Sequence, residues 1–139
     1  MPSGTHVYFK ARELINTPYQ HQGRKKGVGI DCIGVPIWVA EELGLGNFDK
    51  IDYPRVPDGT MEKLIAQNCT QELLQPGVLL VFRISVEAQH CGIVSNYMGG
   101  QGLIHAWDVA KKVVEHKLTK DWVKKVVGCY GLPGINYYG

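Results

Sequence analysis

The chain has 139 residues, 45% hydrophobic and 20% charged, enough for one core and too few for two ordinary domains. Its net charge of +2 gives no electrostatic footprint for nucleic acid, and its longest basic run, Arg24-Lys25-Lys26, sits between glycines. Met1 to Ile15 lacks the apolar stretch of a secretion signal and no apolar run reaches transmembrane length, so synthesis in the cytoplasm without membrane insertion is expected.

Val7, Ala11, Leu14 and Ile15 recur at helical spacing, with Ser3 or Thr5 available as N-cap. That helix ends before Thr17-Pro18, because a residue preceding proline avoids the α region. A polar, glycine-rich loop follows from Pro18 to Gly29. A very apolar helix is predicted from about Cys32 to Leu43, with Pro36 in its first turn and Gly44 and Gly46 as its stop. Apolar almost all round at its start, this helix should be central and buried.

Asn47 to Asp58, with Pro54 and Pro57, reads as an irregular connection, and Met61, Leu64 and Ile65 as a short helix capped by Asp58 or Thr60. Beyond Pro76-Gly77 the character changes to strand-like runs separated by turn residues. Strands are predicted at residues 78–84, 91–97, 102–107, 111–116 and 126–130, with Met98-Gly99-Gly100 turning a hairpin. Helices followed by an antiparallel sheet give an α+β fold in a single domain spanning residues 1–139.

Gly29-Ile30-Asp31-Cys32-Ile33-Gly34 places a thiol where a glycine-rich loop becomes a helix. There the helix dipole and unpaired N–H groups favour thiolate. Cys32 is the candidate nucleophile, His90 the candidate base, and His105 the residue that orients it. Any register pairing odd with even residues puts His90 and His105 on one sheet face, and the strand that starts at His90 is expected to face the helix. Asp31 either caps the helix or contacts a substrate amine. Cys91 and Cys129 read as core residues and Cys69 carries no distinguishing signal; without a CxxC pair neither a metal nor a disulfide scaffold is expected. His6, His21 and His116 read as ordinary histidines, although His21 is placed to line a cleft.

These residues resemble the NlpC-type cell-wall peptidases (the p-sixty-like cysteine endopeptidases), a compact branch of the papain-like fold. Thr17-Pro18-Tyr19 and the Asp31-Cys32 segment resemble the nucleophile motif, and Gln75-Pro76-Gly77 the start of a core strand. His90-Cys91-Gly92-Ile93-Val94 and Leu103-Ile104-His105-Ala106 resemble the strands carrying the base and the third catalytic residue. The closer resemblance is to a phage and prophage branch found with tail-assembly genes. It is carried by Gln89-His90-Cys91-Gly92-Ile93, Val113-Val114-Glu115, Trp122 and the run from Val127 to Pro133.

The resemblance implies a Cys32, His90, His105 triad, with the Tyr19 hydroxyl assisting the oxyanion or substrate site. It also implies the γ-D-glutamyl to diaminopimelate bond of a peptidoglycan stem peptide as substrate, phage tail proteins as partners, delivery to the cell wall, and no cofactor. Ile33 stands where many bacterial members have serine, and Val78 where they have aspartate; the first departure bears on recognition of a free L-alanyl amine. Two other classes use the same residues: a tail-assembly structural protein with little activity, and an amidase or acyltransferase.

Overall fold

The amino-terminal periodicity forms helix α1 (Gly4–Arg12) in the computed structural model, which describes residues 2–46, 49, 58–84 and 88–137, without the side chains of 88 and 89. Ser3 caps it in extended conformation, and its N–H donates to His6 Nδ1 at 3.0 Å. Leu14 is fully buried in the turns that follow. The loop expected from Pro18 to Gly29 contains a small hairpin, β1 (Arg24–Lys25) against β2 (Gly29–Ile30). Helix α2 (Gly34–Glu42) begins two residues after Cys32. The Asp31 carboxylate takes the Gly34 N–H at 2.9 Å, which places Cys32 in the turn leading in. Pro36 stays in the first turn.

Helix α3 (Thr60–Asn68) starts after Asp58, whose carboxylate accepts the Thr60 N–H at 3.0 Å. Apart from Asp49 and Asp58, the connection expected from Asn47 to Asp58 lies outside the described residues. The remaining elements are β3 (Thr70–Gln71), β4 (Leu79–Arg83), β5 (Ala88–Tyr97), β6 (Gly100–Trp107), β7 (Lys112–Lys117), α4 (Lys120–Val123) and β8 (Val126–Gly131). The six longer-range strands form one antiparallel sheet in the order β3-β8-β4-β5-β6-β7. The sequence predicts five of these; β3 is added by pairing with β8 and is too short to show a period.

Register divides the sheet's side chains into two sets. Leu79 pairs with Ile93, and Ile93 with Ile104, so these residues share one face. That face packs on α1 and α2 through Val7, Ala11, Val35, Ile37 and Val39. Leu80, Phe82, Val94 and Leu103 occupy the other, where Trp122 of α4 and Tyr137 cover them. Full burial of a side chain such as Phe82 contributes about 1.5–3 kcal/mol.

An ion pair bolts α1 to the edge strand β7. Arg12 Nε and Nη2 donate to the Glu115 carboxylate at 3.0 and 2.9 Å, and buried Ser95 Oγ donates to the same carboxylate at 2.7 Å. The pair fixes β7 one residue before His116. Among the described residues, no helix is long and apolar enough to cross a membrane.

Candidate active site

Cys32 is 9% exposed, in the turn between the β1–β2 hairpin and α2. Gly34 permits this approach, since a Cβ there would lie 2.7 Å from the Gly23 carbonyl oxygen. Cys32 Sγ lies 3.7 Å from Met61 Sδ on α3, and Cys91 Sγ donates to the Cys32 carbonyl at 3.2 Å. The Cys32 thiol is lowered to about 5, first by hydrogen bonding from Cys91 and then by the hydrogen bond and charge of His90, against the opposing effect of burial. Burial, reinforced by Cys32, drives the Cys91 thiol well upward, so Cys91 keeps its proton and serves as donor. The other two thiols are pushed up to about 11, Cys69 by burial and Cys129 by burial and Glu72. All four carry thiols, with no disulfide among the described residues.

His90 and His105 share one sheet face, as the odd-with-even register requires. His90 Nε2 and His105 Nδ1 are 2.6 Å apart. The strand carrying His90 faces the helix, as expected. Cys91 is the β5 residue that meets the helix entry, whereas His90 packs beside Phe82, its partner on β4, and under Trp122. With Nε2 taken by His105, Nδ1 is the nitrogen left for Cys32. His105 is 0% exposed, and burial, aided by the charges of His90 and His116, lowers its imidazole to about 2. It is therefore neutral, with one N–H and one lone pair.

His116, which reads as ordinary in the sequence, continues the row. Its pairing of Leu103 with His116 places it on the same face, one strand further out. His116 Nε2 lies 2.8 Å from His105 Nε2, and its Nδ1 lies 2.8 Å from the Lys117 carbonyl oxygen. Trp122 packs tilted against His90 and His116 and edge-on against His105, with centroids 5.1–6.0 Å away. Gly92, between His90 and Val94, makes room for the row. A Cβ there would lie 3.0 Å from His105 Cβ and 2.6 Å from Leu103 Cδ1.

Asp31 is 2% exposed and accepts from Gln22 N–H at 2.8 Å, Arg24 Nη1 at 2.8 Å and Gly34 N–H at 2.9 Å. Arg24 also reaches Asp49 through Nε at 2.9 Å. Asp31 thus ties the hairpin to the helix entry. Tyr19 is pinned by its N–H to the Lys111 carbonyl at 2.9 Å and packs against the cluster containing Cys32 and Ile30. His21 is half-buried in the loop before β1. Met61, Arg24 and His116 are neighbours that no local motif announces.

The family model described as NlpC/P60 matches residues 16–130, nearly all of this architecture. The chain belongs to the NlpC/P60 family. No curated protein matches the sequence. Among solved structures, the NlpC/p60 domain of the peptidoglycan hydrolase SagA superposes with a TM-score of 0.65 at 20% identity, covering 94% of this chain and 99% of that one. An NlpC/P60 family protein from Bacillus cereus ATCC 10987 gives 0.67 at 20% identity over 99% of this chain but only 41% of its own. An N-acetylmuramoyl-L-alanine amidase from Bacteroides uniformis ATCC 8492 gives 0.59 at 14% identity, covering 94% and 97%. At these identities the likeness is one of fold.

Proposed function

We propose that this NlpC/P60 chain is a peptidoglycan hydrolase that cleaves stem peptides through a Cys32, His90, His105 triad. The observation that carries the reading is a thiol lowered to about 5 beside a histidine whose far nitrogen is held 2.6 Å from a buried, neutral second histidine. In that state Cys32 is thiolate and His90 imidazolium. The sulfur attacks the scissile carbonyl carbon, the tetrahedral adduct collapses, and His90 Nδ1 gives its proton to the departing amine. His90 then takes a proton from water, whose oxygen attacks the thioester and releases the acid and the Cys32 thiolate. Tyr19 is assigned to the oxyanion or substrate side, in line with its position in the nucleophile motif.

The bond we assign is γ-D-glutamyl to diaminopimelate, by resemblance of the motifs. One observation favours a second reading of the substrate. The Asp31 carboxylate is occupied by Arg24 and two backbone N–H groups, leaving it a poor receptor for a free amine. That favours stem peptides still acylated at their amino end, and with them amidase-type cleavage nearer the glycan. A phage tail setting rests on resemblance alone, carried by Gln89 to Ile93, Val113 to Glu115, Trp122 and Val127 to Pro133; its test is detection of the chain in purified virions. Mass spectrometry of defined muropeptides after incubation tests the function itself. Free diaminopimelyl peptides support the endopeptidase, intact stem peptides released from muramic acid support the amidase, and unchanged muropeptides contradict both.

A further inference from the structure

We infer that His116 is a fourth, positioning residue, which sets the tautomer of His105 and through it the nitrogen that His90 offers to Cys32. This rests on the triad proposed above. At the outer end of the row the partner is a carbonyl. The Lys117 oxygen accepts only, so His116 Nδ1 carries hydrogen. In neutral His116 the Nε2 is then a lone pair, and the 2.8 Å contact requires His105 Nε2 to be the donor. Neutral His105 has one hydrogen to give, so its Nδ1 is a lone pair aimed at His90 Nε2 at 2.6 Å. His90 must donate there, and it does so in both its neutral and imidazolium forms.

With His116 neutral, the chain of donors runs from His90 to His105 to His116 to the Lys117 backbone, whose carbonyl can only accept. It leaves His90 Nδ1 to take and return the proton exchanged with Cys32. Without His116, His105 is free to place its hydrogen on Nδ1, opposite a donor, and the thiolate–imidazolium pair loses its support. The geometry is a relay, since His105 is engaged through its two nitrogens on opposite sides. Trp122 and Trp107 flank the outer pair, and Arg12 bound to Glu115 holds the strand that presents His116.

The test uses the whole chain, nitrogen-labelled in its histidines, and two variants. His116→Gln offers an amide oxygen to His105 and an amide N–H to the Lys117 carbonyl; His116→Phe keeps a ring and removes the acceptor. In the wild type, imidazole NMR is expected to find His105 protonated on Nε2. His116→Phe is expected to mix its tautomers and slow Cys32 alkylation and muropeptide kcat/KM by about tenfold or more, as wrong-tautomer substitutions do elsewhere. His116→Gln should restore both. A wild-type His105 protonated on Nδ1 overturns the inference, as does an unchanged tautomer and rate in His116→Phe. The wild-type tautomer is readable whether or not muropeptides are cut, so failure of the hydrolytic reading is a separate result. It also stands if a variant does not fold.

Discussion

Replacing His105 with glutamine should flatten the acid sensitivity of the fold. His105 is fully buried, and burial lowers its imidazole from an ordinary 6.5 to about 2. The unfolded chain binds a proton on this group below its ordinary value while the folded chain does not. Stability is therefore present in full above about pH 6.5 and is lost progressively as the pH falls from there towards about 2. Each pH unit inside that window is worth about 1.4 kcal/mol, so moving from about pH 7 to about pH 5 costs about 2 kcal/mol from this residue alone. Glutamine can accept from His90 and donate to His116 without titrating. Urea unfolding of both proteins at the two pH values supplies the comparison, wild type losing about 2 kcal/mol more than His105→Gln. Equal losses in the two proteins would refute the reasoning, because they would mean that His105 takes up its proton in the folded state.

Gly92→Ala pushes a methyl between His105 Cβ and Leu103 Cδ1, so it should cost about 1–3 kcal/mol in urea unfolding and slow muropeptide turnover more than a like-sized destabilisation elsewhere. Glu115→Ala leaves Arg12 and buried Ser95 without their shared acceptor and should cost about 1–3 kcal/mol by the same assay; a loss below that range would show the pair to be mere surface charge. Cys91→Ala removes the first of the influences that lower Cys32, so the midpoint of Cys32 alkylation against pH should move upward, and an unmoved midpoint would assign the effect to His90.

The long elements were legible from local pattern: α1 from helical spacing, α2 from an apolar run bounded by Cys32 and Gly44, and β4 to β8 from strand-forming runs separated by turn residues. Strands β1, β2 and β3 have two residues each and exist only through pairing, so nothing local marks them. Cys32, His90 and His105 could be singled out because each sits in a recognisable motif, and parity alone related the two histidines. The face they occupy needed the β4–β5 register, which turns Cys91 to the helix and His90 to Trp122. His116 needed one more register, β6 with β7, before it could be seen as part of the row. Arg24 on Asp31 arises from the β1–β2 hairpin and Met61 beside Cys32 from packing between distant segments, neither of which a spacing encodes.

The most direct measurement is residue-resolved mass spectrometry of the folded protein after brief exposure to limiting iodoacetamide. With the Cys32 thiol at about 5 and those of Cys69 and Cys129 at about 11, Cys32 should be modified first. Its rate should change little between about pH 6 and about pH 8, unlike that of an ordinary thiol near 8.5. Labelling of Cys32 no faster than the other three, or a rate rising about tenfold per pH unit across that range as for an ordinary thiol, would contradict an activated nucleophile.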